Sequence, residues 1–294
     1  MADTLPRVSI VLPTYNRGHT LKRSIQSVLD QTYKDFELII VDDGSTDNTK
    51  SIVESVSDNR ITYIYSKKNQ GAAEGRNMGI RNSRASLLAF QDSDDEWVKN
   101  KLEIQMNRLA SLNDGWGMIY SDKLRILSTE KKINWPAPTV KRGEIINRDK
   151  MEYAVAFIGI QTCLIKRECL NQVGLFNGAL RALEDLELFI RIVRHYDICH
   201  IQEQLVHYYD RGDGISRSKH NRIKARKKIM SLHHKYLKNE KEFLAHEYHY
   251  YSLCHLDEYI KNKKLSGICL FVFYTCKEIL IKILATIQKL SFKF

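Results

Sequence analysis

The first hundred residues alternate between short apolar runs and longer segments in which apolar residues recur at helical spacing. The apolar runs predict four strands, at 8–12, 36–41, 61–65 and 86–91. The segments between them predict helices at 16–31 and 72–82, and another from the turn at 44–47 to Val53. Asn16 is predicted to be the N-cap of the first helix. Strands that alternate with helices are typical of a parallel, doubly wound sheet, so we predict an α/β fold.

Carboxylates follow two of these predicted strands directly. Asp42 and Asp43 follow the second strand, and the acidic turn Asp92-Ser93-Asp94-Asp95 follows the fourth. The carboxyl ends of parallel strands share one edge of a sheet, which is where open α/β folds bind ligands. Carboxylates gathered there without a ligand would repel one another. Because Mg²⁺ is usually held by one or two carboxylates and substrate phosphates, we predict a metal–nucleotide site.

Other interpretations of this pattern are weaker. Taken alone, the acidic turn is equally consistent with a solvated turn that caps a helix beginning near Glu96. No Gly-x-Gly-x-x-Gly follows the first strand, so a dinucleotide-dehydrogenase site fits poorly. No Gly-x-x-x-x-Gly-Lys-Ser/Thr occurs anywhere in the sequence, so a P-loop fits no better.

Five segments, taken together, resemble a known family. VSIVLPTYN (8–16), VDDGSTD (41–47), GRNMG (75–79), FQDSDDEW (90–97) and LEDLELFIR (183–191) are similar to the successive signatures of family 2 glycosyltransferases. They occur in the order and at the spacing of that family, between Arg7 and Ser218. The resemblance implies a GT-A-type, doubly wound, mostly parallel sheet. It also implies an inverting transferase that uses a nucleotide-activated sugar and a divalent metal, Mn²⁺ or Mg²⁺.

The resemblance assigns donor-binding roles to the first three motifs. Pro13 and Tyr15 would line the pocket for the nucleotide base. Asp43 would accept a hydrogen bond from the base, typically uracil. Arg76 and Asn77 would lie near the base and sugar side of the same cleft.

The acidic turn would bind the rest of the donor. By the resemblance, Asp92 and Ser93 would contact the ribose or the donor sugar. Asp94 would ligate the metal that bridges the diphosphate, with Asp92 and Asp95 as further ligands. A divalent cation stabilises the departing diphosphate as a Lewis acid without any proton transfer.

Asp185, with Glu184 beside it, would be the catalytic base. Inversion requires an acceptor hydroxyl activated on the face of the sugar opposite the diphosphate. A carboxylate in hydrogen-bond reach of that hydroxyl accelerates the reaction by typically ~10²–10⁴-fold. Glu184 begins an amphipathic segment whose apolar residues face a core: Leu186, Phe189, Ile190 and Val193. Alternatively, acids in a first helical turn merely complement the helix dipole.

The region from 207 to 216 departs from the family pattern. Many members have a histidine near the metal after the last strand of the catalytic domain. Here His207 is predicted to lie inside the strand, and Asp210 or Asp213 occupies the expected stretch. The third protein ligand of the metal therefore stays open. Two glycines predict either a mobile loop, in which Arg211 or Arg217 closes over the diphosphate, or a plain surface loop.

Positive charge is concentrated near the end of the sequence. Of the net charge of +11, residues 219–294 carry 16 Lys and Arg against 6 Asp and Glu, whereas residues 1–218 carry 30 against 29. We therefore predict a nucleotide-sugar-binding catalytic domain over 1–218 and a basic helical C-terminal region over 219–294. Helical periodicity predicts three helices in this region, at 221–237, 241–261 and 266–290.

The last predicted helix is a candidate for membrane contact. Residues 265–276 are uncharged but too few to span a bilayer, which needs ~20 apolar residues. From 279 to 290 most of the circumference is apolar, and Glu278, Lys282 and Lys289 share a narrow polar strip. Such a helix can lie in the interface of an anionic membrane, or it can pack internally as an ordinary appendage. No nucleic-acid-binding motif accompanies the basic charge, so we expect no nucleic-acid partner.

The remaining features limit the cellular location and the class of function that we expect. The six cysteines form no C-x-x-C pair and predict reduced core residues of a cytosolic protein. Residues 1–6 have no signal-peptide pattern, so we expect a cytoplasmic enzyme, peripheral on the inner face of the cell membrane if the last helix contacts lipid. Its acceptor would be a glycan or a polyprenyl-linked hydroxyl. Two alternatives are a nucleotidyltransferase with a similar cleft and a catalytically silent nucleotide-sugar-binding partner.

Overall fold

The computed structural model describes residues 5–127, 132–135, 145–146, 155, 158–210, 218–237, 240–262 and 265–291. The chain forms two compact units, Met1–Gly214 and Ile215–Phe294. The first unit contains the sheet and six helices among its described residues, and the second is helical.

The strands of the first unit are β1 Val8–Thr14, β2 Phe36–Asp42, β3 Ile61–Tyr65, β4 Leu87–Phe90, β5 Glu96–Trp97, β6 Trp116–Leu127, β7 Lys132–Trp135, β8 Ile145–Ile146, β9 Leu164–Lys166 and β10 Asp197–Asp210. Its helices are α1 Gly18–Leu29, α2 Thr49–Glu54, α3 Ala72–Arg81, α4 Lys101–Leu109, α5 Arg167–Val173 and α6 Glu184–Val193. The four strands and three helices predicted in the first hundred residues are confirmed, with bounds that differ by a few residues.

The strands form one twisted sheet in the order β3-β2-β1-β4-β9-β6-β10-β5. Six of these eight strands run in the same direction, and β9 and β5 run against it. β7 and β8 pair with β6 and β10 outside this path. The predicted fold class, an α/β protein with a mostly parallel sheet and C-terminal helices, is therefore confirmed.

The core lies between the central strands and the helices that cover them. β1 and β2 are buried along almost their whole length, which requires the continuous apolar runs seen in the sequence. Ile10 and Leu12 of β1 join the same apolar cluster as Leu21 and Ile25 of α1. The polar ends of the strands are left at one edge of the sheet, where the candidate site lies.

The N-cap prediction for Asn16 is wrong. Asn16 has a left-handed backbone conformation with φ of 51°, and α1 begins two residues later at Gly18. Its side chain accepts a hydrogen bond from the Thr46 amide at 2.8 Å, and its own amide donates to Ser45 Oγ at 2.8 Å. Asn16 therefore ties the loop after β1 to the loop after β2 and is not free to cap α1.

Helix α3 packs unusually close to β1. A β-carbon at Gly79 would overlap a methyl group of Val11, and one at Gly75 would lie 3.3 Å from Pro13. The glycines of the GRNMG segment thus form the face of α3 that touches the strand. Arg76 and Asn77 lie between these glycines, so their positions are set by this contact.

The second unit contains α7 Lys219–Leu232, α8 His234–Leu237, α9 Lys241–Asn262 and α10 Leu265–Ser291. The first of the three predicted C-terminal helices is divided at His233 into α7 and α8, and the other two are confirmed. Buried Arg226 of α7 forms an ion pair with buried Glu247 of α9. Among the described residues, no helix is both long enough and apolar enough to cross a membrane.

All six cysteines are free. Cys163, Cys169 and Cys199 are buried, as a core role requires. Cys269 and Cys276 are exposed on α10, so the prediction of core positions is wrong for these two.

Candidate active site

The loop after β2 holds Asp43 in a buried position. Its carboxylate accepts hydrogen bonds from the amide of Gln70 at 2.9 Å and from the amide of Gly71 at 2.7 Å. Gly71 has φ of 95°, and a β-carbon there would lie 2.6 Å from the Arg181 guanidinium, so both its backbone and its surroundings favour glycine. Burial raises the pKa of Asp43, and the two amide hydrogen bonds oppose that shift. Asp43 therefore lies directly after β2 as a buried carboxylate held by two backbone amides.

Asp42 has a different role from its neighbour. It is fully buried and accepts hydrogen bonds from the Ser45 amide and the Tyr63 hydroxyl, both at 2.8 Å. Burial, followed by the hydrogen bond to Asp42, raises the pKa of Tyr63. Asp42 thus shapes the turn, whereas the Asp43 carboxylate is held by the amides of Gln70 and Gly71.

Side chains of α1 fix the backbone of the acidic turn. Three consecutive carbonyl groups of the turn each accept one hydrogen bond from this helix. The pairs are Ser24 Oγ to Asp92 O at 2.9 Å, Thr20 Oγ1 to Ser93 O at 2.9 Å and Arg23 Nη2 to Asp94 O at 2.7 Å. The turn is therefore a rigid element, and Ser93 is buried within it with its carbonyl satisfied.

The three carboxylates of the turn have different surroundings. The Asp92 side chain is 26% exposed and pairs with Arg76 at 2.8 Å. The Asp94 side chain is 30% exposed and lies 3.8 Å from Arg17. Asp95 is fully buried. Asp92 and Asp94 are therefore the two predicted metal ligands that a ligand can reach from solvent.

Asp95 is directed into the protein. Its two oxygens accept hydrogen bonds at 3.0 Å, one from the Tyr209 amide and one from Gln161 Nε2. Burial, and then the charges of Asp92 and Asp94, raise its pKa well above the usual range. These contacts connect the acidic turn to β10 and to the 3₁₀ turn Ile160–Thr162.

Arg76 connects the acidic turn to the acids of α6. Its guanidinium donates to Asp92 Oδ1 at 2.8 Å and to Glu184 Oε1 at 2.7 Å. The residue is 5% exposed. Burial alone would lower the pKa of Arg76, but the charges of Asp92 and Glu184 outweigh it and raise the pKa. Arg76, from the GRNMG segment, thus joins the acidic turn of the FQDSDDEW segment to the LEDLELFIR segment.

Asp185 stands at the start of α6, next to this ion-paired cluster. Leu183, the residue before α6, has a left-handed conformation with φ of 57°, which is unusual for a residue other than glycine. The Asp185 carboxylate accepts the Leu186 amide at 2.8 Å. Burial, followed by the charge of Glu184, raises its pKa to about 6, against the charges of Arg76 and Lys123. A carboxyl group with such a pKa is ionised at neutral pH yet basic enough to accept a proton.

The remaining predicted donor residues have different placements. Tyr15 follows β1 and is 40% exposed, so its ring is available to a ligand. Pro13 lies in β1 against Gly75 of α3. Asn77 uses its carboxamide on the protein itself, accepting the Phe176 amide at 2.9 Å and donating to the Phe176 carbonyl at 2.9 Å. Asn77 therefore fixes the segment that precedes α6.

Several residues of the site were not found from the sequence. Lys123 of β6 is partly buried, and its Nζ lies against Gly159, where a β-carbon would come within 2.8 Å. Burial lowers the pKa of Lys123, and the charges of Asp95, Asp185 and Asp92 oppose that shift. No motif marks this lysine, and only the pairing of β6 with β10 and β9 brings it to the acids.

Arg23, Glu96 and Tyr209 form a second group that the sequence did not mark. The Arg23 guanidinium lies 3.7 Å from the centre of the Tyr209 ring, and its Nε lies 3.5 Å from Glu96 Oε2. The Tyr209 hydroxyl also contacts the Glu96 carboxylate. This group holds β10 against the acidic turn.

The stretch expected to contain a further metal ligand is only partly described. His207 lies inside β10 opposite Glu96, as predicted. Asp210, the last residue of β10, is buried and pairs with Arg125, whose Nε lies 3.0 Å away. Asp213, Arg211 and Arg217 lie outside the described residues. Asp210 therefore already has a cationic partner within the protein.

The donor set of the acidic turn fits a hard divalent cation. In the part of the chain that the structure describes, no three His, Cys, Asp or Glu side chains are arranged as a complete metal site. Asp92 and Asp94 are two partly exposed carboxylates on one rigid turn. This is the protein contribution expected where phosphate oxygens supply the other ligands of Mg²⁺.

An α/β sheet with acidic strand ends, a buried carboxylate in the loop after β2 and a carboxylate of raised pKa on α6 is the arrangement that the sequence predicts for a nucleotide-dependent transferase. The sequence profile of "Glycosyl transferase family 2" matches residues 9–174, more than half of the chain. The chain belongs to this family of glycosyltransferases. The resemblance stated from the motifs is thereby confirmed.

Three relatives illustrate the similarity. The chain is 44% identical over 106 residues to WfgD of Escherichia coli, named as a UDP-Glc:alpha-D-GlcNAc-diphosphoundecaprenol beta-1,3-glucosyltransferase; the match covers 36% of this chain and 42% of WfgD. It is 35% identical over 212 residues to an uncharacterised glycosyltransferase of Rickettsia felis, covering 68% and 32% of the two chains. It is 32% identical over 201 residues to TuaG of Bacillus subtilis, assigned provisionally to teichuronic acid biosynthesis, covering 66% and 75%. The chain thus spans less than half of the length of the first two relatives.

The fold is also found in solved structures. S. aureus TarS 1–349 in complex with UDP matches with a TM-score of 0.69 at 17% identity, over 88% of this chain and 76% of that chain. The complex of the same protein with UDP-GlcNAc matches with a TM-score of 0.71 at 17% identity, over 94% and 81%. At this identity the likeness concerns the fold, and it confirms the predicted GT-A-type architecture.

Proposed function

We propose that the protein is an inverting glycosyltransferase that moves a sugar from a UDP-sugar to a hydroxyl group of a glycan or lipid-linked acceptor. The observation that carries this proposal is the Arg76 bridge. One buried guanidinium joins Asp92, on the predicted donor side, to Glu184, the neighbour of the predicted base. Donor and acceptor chemistry would therefore take place in one continuous acidic cleft.

The donor would bind across the carboxyl ends of β1, β2 and β4. Tyr15 would contact the base with its exposed ring, and Asp43 would accept a hydrogen bond from it. A carboxylate oxygen can accept more than one hydrogen bond, so the amides of Gln70 and Gly71 orient Asp43 without excluding the base. The choice of UDP is supported by the name of WfgD, a UDP-Glc-dependent glucosyltransferase, and by the UDP-bound structure of TarS.

Asp92 and Asp94 would hold Mn²⁺ or Mg²⁺ beside the diphosphate. When bound, this metal would stabilise the negative charge of the leaving diphosphate. The protein's own contribution is a turn whose carbonyl groups are already satisfied by α1, so its backbone would be held in place when a ligand binds. Asp95, which is buried and accepts two hydrogen bonds, would support this turn from behind.

Asp185 would accept the proton of the attacking hydroxyl group. Its raised pKa, about 6, leaves it ionised near neutral pH and makes it a stronger base than an ordinary carboxylate. The positive charges of Arg76 and Lys123 would oppose the protonation of Asp185 that the neighbouring carboxylates favour. Glu184, fixed by Arg76, would orient the start of α6 without accepting the proton.

The acceptor is proposed from the relatives. WfgD acts, by its name, on a sugar linked to undecaprenol diphosphate. A lipid-linked acceptor would require this chain to work at a membrane surface, and the basic surplus of residues 219–294 favours an anionic one. We therefore place the enzyme peripherally on the inner face of the cell membrane.

A thermal-shift screen of nucleoside diphosphates and nucleotide sugars, with and without Mn²⁺, tests the proposal. A ligand that binds only the folded protein raises its apparent stability by mass action, by about 2.7 kcal/mol at a hundred times its Kd. We expect UDP and UDP-sugars to stabilise the protein and Mn²⁺ to strengthen the effect. Stabilisation by nucleoside triphosphates alone would favour a nucleotidyltransferase instead.

A further inference from the structure

Helix α10 presents an apolar face to solvent. Between residues 269 and 283, where all side chains are described, nine are exposed, and eight of these are apolar or cysteine. Five large ones are about half exposed: Val272 52%, Phe273 48%, Ile279 53%, Leu280 56% and Ile283 51%. Their spacing puts them, together with Cys269 and Cys276, on one side of the helix. We call this set the outer face of α10.

The opposite side of the helix contains the buried polar residues. Glu278 is 6% exposed, and its carboxylate contacts His249 of α9 at 3.0 Å and also Lys282. The Tyr274 ring stacks on that of Tyr248 of α9 and lies tilted against that of Tyr251. A helix of a soluble protein normally turns its apolar side inward. In α10 the packed side is satisfied by polar and aromatic contacts, and the large apolar side chains of the outer face stay about half exposed.

The charges around the outer face are positive. The exposed charged side chain between 269 and 283 is Lys282, on one flank of the face, and Lys277 lies on the other flank with its ammonium 4.5 Å from the Phe273 ring centre. The single acid of α10 is Glu278, which is buried and paired both with His249 and with Lys282 itself. An apolar face bordered by lysines is typical of helices that lie in a membrane interface.

We infer that the outer face of α10 inserts into the interfacial region of an anionic lipid membrane. This inference rests on the proposed function, since a lipid-linked acceptor lies at such a surface. Lys277 and Lys282 would meet anionic headgroups while the aliphatic side chains and Phe273 enter the acyl boundary. Two copies packed through this face would instead bring lysine flanks of the same sign together, which opposes association.

The test uses the full chain and vesicles of phosphatidylcholine with or without phosphatidylglycerol. In flotation assays we expect binding to the phosphatidylglycerol vesicles, weakened by salt because headgroup attraction is screened. The double substitution Leu280→Asp with Ile283→Asp is expected to weaken binding about a hundredfold, about tenfold for each large side chain withdrawn from the lipid. Leu232→Asp, at a residue of α7 that is 53% exposed, is the matched control and is expected to bind as the wild type does.

A second readout uses the thiol of Cys276, which is exposed on the outer face. In a Cys269→Ser background, an environment-sensitive dye on Cys276 is expected to shift to the blue with anionic vesicles and not with phosphatidylcholine alone. Equal vesicle binding by the double aspartate variant overturns the inference, and so does wild-type protein that ignores anionic vesicles. A concentration-dependent dimer that the same double variant abolishes also overturns it, because a second copy would then be the occupant.

Vesicle binding requires no nucleotide, so the two proposals can fail separately. Protein that binds vesicles but is not stabilised by UDP and Mn²⁺ supports this inference and contradicts the proposed function. Protein that is stabilised by UDP but floats with no vesicle contradicts this inference alone.

Discussion

Arg76 and Glu184, which are 108 residues apart in the sequence, form a hydrogen-bonded ion pair of 2.7 Å in a nearly buried position. The same guanidinium holds Asp92. A buried charge pair is costly to break from one side, typically by 3–5 kcal/mol, because the remaining charges lose their partner. The geometry of the cleft therefore depends on a residue that need not take part in the chemistry.

The substitution Arg76→Lys is expected to break the connection between Asp92 and Glu184. A single ammonium cannot reproduce a guanidinium that donates to two carboxylates from separate nitrogens. We expect both weaker UDP binding and lower turnover, measured by thermal shift and by transfer assays. Arg81→Lys is the control, because Arg81 lies on the same helix and pairs with Glu74 at the surface. Full activity of Arg76→Lys would show that the bridge is dispensable.

The substitution Asp94→Asn is expected to remove the effect of Mn²⁺ on nucleotide binding and nearly to abolish transfer. A neutral amide is a poor replacement for a hard anionic ligand. Titration of UDP with and without Mn²⁺, followed by thermal shift, measures the first effect. Asp30→Asn, at an exposed residue just after α1, controls for the loss of one surface carboxylate. Unchanged metal dependence in Asp94→Asn would contradict the assignment.

The substitution Asp185→Asn is expected to lower turnover by ~10²–10⁴-fold while UDP binding is retained. Because the pKa of Asp185 is about 6 in the folded protein, activity of the wild type should fall as the pH drops below about 6. The folded state binds this proton more tightly than the unfolded chain, so ionisation of Asp185 reduces stability as the pH rises from 4 to 6. Above pH 7 the variant should therefore melt no lower than the wild type. Lost UDP affinity with unchanged turnover would make Asp185 a donor-site residue.

The substitution Lys123→Met is expected to move the acidic limb of the pH–activity profile to higher pH. The charge of Lys123 lowers the pKa of Asp185, so its removal should let Asp185 take up a proton more readily. Lys123→Arg keeps the charge and should leave the limb close to that of the wild type. Lys50→Met is the control for a general effect of charge, because Lys50 is exposed and pairs with Glu54 on the surface. A limb that does not move in Lys123→Met would exclude this electrostatic role.

Buried Lys101 should make the stability of the protein depend on pH. Its Nζ donates to Gln105 at 2.7 Å and lies 4.1 Å from the Trp97 ring centre, and burial lowers its pKa from 10.5 to about 7. Between pH 7 and 9 the unfolded chain therefore binds this proton and the folded protein does not, so stability rises with pH. The rise should amount to about 2 kcal/mol from this group in chemical unfolding experiments. It should vanish in Lys101→Met and persist in Lys99→Met, an exposed neighbour.

The sequence allowed the sheet and the strand-end acids to be predicted because both depend on local pattern. Apolar runs that end in carboxylates define strands and their exposed edge without knowledge of the rest of the chain. The strand over Leu87–Phe90 and the helix that begins at Glu184 are examples. The family motifs then indicated which of these strand ends belong to one site.

The rest of the site depends on contacts that no local pattern encodes. Lys123 reaches the acids only because β6 lies between β9 and β10 in the sheet. Asn16 resembles a helix cap in the sequence, but its partners are Ser45 and Thr46 of another loop. The sequence alone does not distinguish Asp95 from Asp94. The two differ in the exposure of their side chains, because Asp95 is buried and Asp94 is partly exposed.

The close contact between Gly79 and Val11 has a consequence for how mutations in this protein are interpreted. A larger residue at position 79 would push α3 away from β1 and carry Arg76 with it, although residue 79 touches no ligand in the proposed mechanism. A genetic screen for lost transfer activity would therefore recover Gly79 beside the acids of the cleft. The phenotype of such a mutant would resemble that of a damaged ion pair, and restoring room at Val11 with a smaller side chain would be the informative second-site change.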